Sequence, residues 1–233
     1  MTLGRLSPNE PVVRWNWLAD HLDVLVQGLL QHLWLTAVAV GVGFVLSMGL
    51  AVLALRFHAT WGPINAATGV LYAIPSLALF VLLTPVTGLT TLTAEIALVS
   101  YTLQILTRSI VAGVNGVPPA VLDAARGTGH SPRQLLWGVE LPLALPVIVS
   151  GLRIATVTTV GLVPIAGLLG SDQGGLGQLI FDGLNRVFPT PLLAGALLTV
   201  ALAVGLDLAL LRLERALTPW ARRPVPRRGA ATT

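Results

Sequence analysis

Residues 123–142 read Asp-Ala-Ala-Arg-Gly-Thr-Gly-His-Ser-Pro-Arg-Gln-Leu-Leu-Trp-Gly-Val-Glu-Leu-Pro. Four charged side chains and two helix-stopping glycines stand here between long apolar runs. Pro118 and Pro119 suit the start of a helix, where a missing N–H costs nothing. Ala120 to Arg126 then forms two turns, with Asp123 and Arg126 spaced to pair on one face. Gly127 and Gly129 stop that helix, because glycine takes the left-handed closing conformation readily. Ser131 suits an N-cap, Pro132 the first helical position and Gln134 the third, which together make a capping box. The second helix is predicted to run to Glu140, with Leu141-Pro142 turning the chain away. The pattern over 118–142 is therefore a helix–break–helix hairpin. Ala124 and Ala125 give it a low-relief surface that a protein in the water phase could approach closely. An ordinary helical loop accounts for the same pattern equally well.

Outward from the hairpin the chain is apolar. Hydrophobic residues make up 54% of it and charged residues 10%, against about 25% charged in a soluble domain. The fold class expected is an all-α integral membrane protein with five core spans, each of about 20 residues. The first runs from Leu33 to Leu55, with Gly41, Gly43, Ser47 and Gly49 permitting close helix contact in lipid. Residues 23–31 either extend it or lie on the membrane surface; counted separately, 22–31 gives a six-span alternative. The second runs from Ile64 to Val86 and carries Pro75 near its middle. A kink there frees a carbonyl that only a protein-lined or watery neighbourhood can satisfy. The third runs from Leu92 to Val111, the fourth from Leu143 to Leu169 and the fifth from Pro191 to Leu211. A short helix is predicted over Leu179–Leu184. In domain terms, 1–31 is an interfacial lead-in, 32–216 the membrane domain with its hairpin at 118–142, and 217–233 an arginine-rich tail predicted to be disordered.

All 14 basic residues are arginines and the chain has no cysteine. Without lysine it cannot form a standard phosphate-binding P-loop, and without cysteine it has no disulfide or thiolate chemistry. Arg56, Arg108, Arg126, Arg133 and the tail mark one side of the membrane, so the hairpin and C-terminus are expected in the cytoplasm and the N-terminus outside. Arg5 and Arg14 run against that bias. The basic excess belongs to this flanking pattern, and no nucleic-acid partner is expected.

The hairpin order is Asp123-Ala124-Ala125, three residues, Gly129, nine residues, Val139, one residue, Leu141-Pro142. It resembles the Glu-Ala-Ala-x3-Gly-x9-Ile-x-Leu-Pro loop of ABC-importer permeases, with Asp123 in place of Glu and Val139 in place of Ile. Tyr72-Ala-Ile-Pro-Ser-Leu-Ala-Leu79, Gly151-Leu-Arg-Ile-Ala-Thr156 and Gly174-Gly-Leu-Gly-Gln-Leu-Ile-Phe181 resemble the osmoprotectant uptake permeases, which import glycine betaine, choline and carnitine. The likeness covers roughly residues 30–215. Gly170-Ser-Asp-Gln departs from the tighter glycine loop of that group. The resemblance implies a type I, MetI-like permease in a bacterial inner membrane, itself neither an enzyme nor a cofactor-binding chain. Its implied partners are a cytoplasmic ABC ATPase dimer that hydrolyses the ATP, a second permease copy, identical or paralogous, and an extracytoplasmic substrate-binding protein. Asp123, Ala124, Ala125, Gly129, Val139, Leu141 and Pro142 are then the ATPase-coupling residues.

Tyr72, Pro75 and Ser76 are candidate pathway-lining residues, and packing explains them equally. The 170–177 loop lacks the Lys-Ser/Thr of a phosphate cradle; a flexible turn and a gate or binding-protein contact remain open for it. His21, His32, His58 and His130 lack ligand spacing, so no metal site is expected. Arg153 is expected to snorkel or to pair at the cytoplasmic half of its span. Glu95 and Asp207 lie toward span ends, which disfavours an ion-coupled secondary transporter. A methionine-type amino-acid importer shares the hairpin and the five-span plan, and is the nearer alternative.

Overall fold

Apolar runs of about 20 residues are stable in lipid as helices, in which every backbone group is bonded within the segment. The computed structural model describes residues 12–170 and 174–222. The arginine-rich end beyond 222 and Ser171, Asp172 and Gln173 of the glycine loop lie outside the described residues. Within them, a short helix α1 (Trp15–Asp20) leads into α2 (Leu22–Arg56), a single helix of 35 residues. Residues 22–31 thus extend the first span rather than forming a sixth, and α2 runs unbroken through the 31/32 boundary. At 1.5 Å per residue α2 is about 52 Å long, more than a bilayer core needs.

The expected kinked second span is two helices. α3 (Trp61–Ala73) and α4 (Ser76–Thr87) meet at 97° across Ile74-Pro75. Pro75 caps α4 in extended geometry and does not sit inside a helix. A proline disfavours helical backbone at the residue before it, and Ile74 accordingly takes ψ 128. The carbonyl that this break frees is satisfied, because the Tyr101 hydroxyl donates to Ile74 O at 2.6 Å.

α5 (Thr91–Asn115) follows, its first turn capped by Thr90. The hairpin helices are α6 (Pro119–Gly127) and α7 (Pro132–Leu135). A π turn over Leu136–Glu140 leads straight into α8 (Leu141–Ala166). Leu141-Pro142 therefore does not turn the chain, and Pro132–Ala166 is one continuous helical run. Pro142 has no N–H to give, and the wider π turn just before it absorbs the mismatch. α9 (Gly177–Asn185) and α10 (Pro189–Leu217) complete the fold. Among the described residues, four helical runs are long and apolar enough to cross a membrane, and the bent α3–α4 pair, taken as one span, makes a fifth.

α2, α5 and α8 pack together at the centre, with α3 and α4 against α5, and α9 and α10 against α8. One core joins Leu35, Ala39, Phe80, Leu98, Tyr101 and Val163; a second, nearer the hairpin, joins Ala51, Ala54, Ile110, Ala144 and Ile148. Small residues set the spacing: a Cβ on Gly43 would collide with the Thr102 side chain, and one on Gly151 with Ser109. Where lipid removes the hydrophobic drive between helices, such close approach supplies the contact energy.

Candidate functional site

The hairpin is built by local hydrogen bonds. At the end of α6, Gly129 takes φ +85. Its N–H donates to Arg126 O at 3.0 Å and the His130 N–H to Ala125 O at 3.3 Å. Those two bonds are the paired closure of a Schellman motif, which needs a residue at ease in the left-handed region. Gly129 is that residue, and Gly127 is the last helical one. Thr128 also donates its hydroxyl to Ala125 O at 2.8 Å. Across the break, Gln134 N–H donates to Ser131 Oγ at 3.4 Å and Ser131 N–H to Gln134 Oε1 at 2.9 Å, the full capping box. These bonds all run between residues of the hairpin itself.

Asp123 pairs with Arg126 at 3.1 Å and both remain exposed. Ala124 and Gly129 are exposed, Ala125, Val139, Leu141 and Pro142 half-buried, and Leu135 buried. A side chain added at Gly129 would meet open space. Val121 and Trp137 are exposed apolar groups on this polar hairpin, and Trp137 reaches 71% exposure. The sequence reading gave Trp137 no role; a tryptophan in a charged, capped segment is the signal that could have found it. Asp123, Ala124, Ala125 and Gly129 come together on α6 and its closing turn, while Val139, Leu141 and Pro142 lie on the π turn and the first turn of α8.

The second candidate region is the elbow between α3 and α4. Tyr72 and Pro75 are exposed there and Ser76 is half-buried. The Tyr72 ring meets Tyr101 edge to face at 6.0 Å. Tyr101 lies near the middle of α5, so the break is at mid-depth, where exposed backbone survives only beside protein or a watery cavity. A half-buried polar seam continues between α3 and α5: Thr68 donates to Gln104 Oε1, and Gln104 reaches Asn65 Oδ1 at 3.5 Å.

At the end opposite the hairpin, residues 174–177 of the glycine-rich segment are wedged against α2 and the end of α8. Cβ atoms on Gly174 and Gly177 would strike the α8 backbone region at Gly167 and Pro164, and one on Gly175 would strike α2 at His32. Leu176 is fully buried, and His32, also buried, donates from Nε2 to Val160 O at 3.0 Å. The helix expected at 179–184 is present as α9. Beside it opens a cleft of about 810 Å³ whose lining includes Gln27, Gln31, Gln178, Asp182, Asn185 and Arg186.

Arg153 pairs as expected. Its Nε and Nη2 donate to Asp207 at 3.0 and 3.1 Å, and its Nη1 to Glu214 at 3.0 Å. Glu214 was not singled out from sequence, since its partner lies 61 residues away. Glu95 is a different case. Neither of its carboxylate oxygens, both buried, has a partner among the described residues.

Apolar spans around a small-residue core, one span broken at mid-depth, and a capped hairpin projecting at one end together define a membrane transport permease. The chain belongs to the family of binding-protein-dependent transport system inner membrane components, whose profile matches residues 43–219. It is 37% identical over 209 residues to the osmoprotectant import permease protein OsmW of Salmonella typhimurium, covering 88% of this chain and 96% of that one. It is 33% identical over 189 residues to the choline transport system permease protein OpuBB of Bacillus subtilis, covering 81% and 86%. Among solved structures, the MetNI methionine ABC transporter in inward-facing conformations matches with a TM-score of 0.73 at 25% identity, over 85% of this chain and 98% of that one.

Proposed function

We propose that this chain is the membrane-spanning permease subunit of an ATP-driven importer of osmoprotectants of the glycine betaine, choline and carnitine type. It forms the pathway with a second permease copy and receives solute from an extracytoplasmic binding protein. The hairpin carries the reading. Its two short helices are fixed by their own caps, and α7 is continuous with α8, so a push on the hairpin is delivered into the bundle as a movement of a rod. Residues 123–125 and 129, with Val139, Leu141 and Pro142 behind them, are the contact with a cytoplasmic ABC ATPase dimer. The chain binds no cofactor in this reading, and the ATP is hydrolysed on the partner. The arginine bias supports a cytoplasmic hairpin and C-terminus, with the N-terminus and the α9 cleft outside. The mid-depth elbow at Tyr72, Pro75 and Ser76 supports a pathway there.

The likeness to a methionine transporter favours a second reading, an amino-acid importer. Relatives 31–37% identical over 81–88% of this chain carry osmoprotectant, choline or carnitine names, and these weigh more on substrate. Engagement of Asp207 by Arg153 further disfavours ion coupling through that carboxylate. One strain decides between the substrates. Deletion of this chain, in a background without a paralogue, should abolish uptake of labelled betaine or choline at high osmolarity and leave methionine uptake intact. Loss of methionine uptake alone would reverse the assignment. For the hairpin, Ala125→Glu should remove substrate-stimulated ATPase activity from the reconstituted complex while the protein stays in the membrane. Undiminished stimulation would sink the coupling assignment.

A further inference from the structure

α10 is held to the bundle in an uneven way. Its buried residues are Thr190, Pro191 and Gly195, all within its first two turns. There Gly195 packs so closely that a Cβ would stand 2.8 Å from Leu176 O and 3.0 Å from the side chains of Ile180 and Leu179. Beyond Gly195, over more than twenty residues toward the hairpin end, α10 buries none of its side chains. Between it and α8 lies a recess of about 510 Å³, lined by Ser150, Ile154, Val157, Val204 and Leu208 among others. Packing is therefore tightest at that end, and along the rest of α10 only a half-buried stripe, with Leu202, Ala203, Leu206 and Leu210 on it, faces the bundle.

Charge adds a specific hold at the other end. Arg153 reaches from α8 at the edge of that recess, its fork flat on Asp207, while Nη1 takes Glu214. Asp207 and Glu214 are seven residues apart, which puts their Cα atoms on one face about 10.5 Å apart along the axis, and their carboxylates converge on one guanidinium. One guanidinium thus grips two successive double-turns of α10. A planar fork can take one carboxylate bidentately and still reach a second, a geometry that a compact ammonium does not reproduce. Arg153 and Glu214 are only 22% and 23% exposed, so the pairing is shielded from solvent more than a surface ion pair is. Arg153 also stands about 18 Å along α8 from Leu141, at 1.5 Å per residue, on the same continuous run as the hairpin helix α7.

We propose that Arg153 is a positioning residue: it ties the hairpin end of α10 to α8, so that α10 follows the hairpin instead of staying behind. The proposal rests on the coupling role given to the hairpin above, but it is read by a separate measurement. The chain contains no cysteine, so two labels can be placed without background. Val147→Cys on α8 and Leu213→Cys on α10 are both exposed sites. With spin labels there, the α8–α10 distance should be narrow and the same in nucleotide-free and ATP-trapped complexes. In Arg153→Gln it should broaden and become dependent on nucleotide. In Arg153→Asp with Asp207→Arg, which restores one forked pair, it should narrow again. Arg153→Lys should give an intermediate width. The ratio of stimulated to basal ATPase activity in Arg153→Gln should fall roughly 3- to 30-fold, the range for a residue carrying coupling between distant sites.

A narrow distance in Arg153→Gln overturns the proposal. So does a wild-type distance that changes with ATP, which decides the matter even if the variant fails to insert. A purely structural role would lower the amount of protein in the membrane and leave the nucleotide dependence flat. If the ATPase assignment were wrong, Ala125→Glu would leave stimulation intact, whereas the α8–α10 distance in the permease alone would still report whether Arg153 holds α10.

Discussion

Gly175→Ala tests the wedge at the end of the bundle opposite the hairpin. Two separate costs meet at this position. The backbone stands at φ +51, and a built Cβ would lie 2.7 Å from His32 Cβ, 2.8 Å from His32 Cα and 2.9 Å from His32 N. Left-handed backbone costs an alanine about 1–2 kcal/mol, of which about 0.4–1 kcal/mol is returned by the stiffer unfolded chain. The clash adds about 1–3 kcal/mol of overpacking. Its target is helix backbone, and the His32 ring is already committed to Val160 O at 3.0 Å, so α2 has little room to yield. The central expectation is a loss of about 3 kcal/mol. For a chain of this length that lowers the midpoint of thermal unfolding by roughly 6–12 °C.

Gly129→Ala is the control, because its φ is +85 but nothing stands within 4 Å of its Cβ. It should cost about 1 kcal/mol, the conformational part alone. Thermal unfolding of the purified protein in detergent reads both variants side by side. Equal shifts for the two would refute the close-contact argument. Gly175→Asn sharpens the test, since asparagine tolerates the left-handed region but still brings a Cβ. Recovery of stability in that variant would refute it as well.

Tyr101→Phe removes the donor to Ile74 O and should destabilise the protein by about 1–3 kcal/mol, the cost of a buried carbonyl left unmade. An unchanged unfolding midpoint would mean that water already serves the break. Ser131→Ala opens one side of the capping box and should cost about 0.5–2 kcal/mol of local stability. Hydrogen exchange should accelerate at residues 133–135 and stay unchanged in α6; protection unaltered at 133–135 would show that the cap is idle.

The parts of the fold legible in the sequence are those in which neighbours along the chain bond one another. Ser131 and Gln134 lie three residues apart and Gly129 closes a helix that ends two residues earlier, so their pattern carries its own hydrogen bonds. The spans were legible because apolar runs of about 20 residues are stable in lipid as helices. Contacts between distant segments were not. Nothing near Glu214 signals Arg153, and nothing in Gly-Gly-Leu-Gly distinguishes a loose turn from glycines pressed on α2 and α8. Pro75 was visible as a disturbance, yet a kink and a 97° break differ by the Tyr101 hydroxyl, 27 residues away. Leu141-Pro142 misled for a related reason. Proline reads locally as a turn, and the π turn that lets the helix pass through it depends on the strain being shared over Leu136–Glu140.

That π turn also bears on how the hairpin changes over evolutionary time. One residue more than an α-helix would hold is taken up in Leu136–Glu140. A π turn of this kind lets a chain gain or lose a residue while the helix on either side keeps its facing. The helical phase counted from Ser131 therefore does not carry into α8: past Glu140 the apolar stripe is set back by about 100°, one residue's rotation. A single deletion within 136–140 could relax the segment to plain α-helix and leave Trp137 and its neighbours re-aimed, with the membrane half undisturbed. The joint is a vernier, letting the face offered to a partner drift independently of the packing that holds the spans.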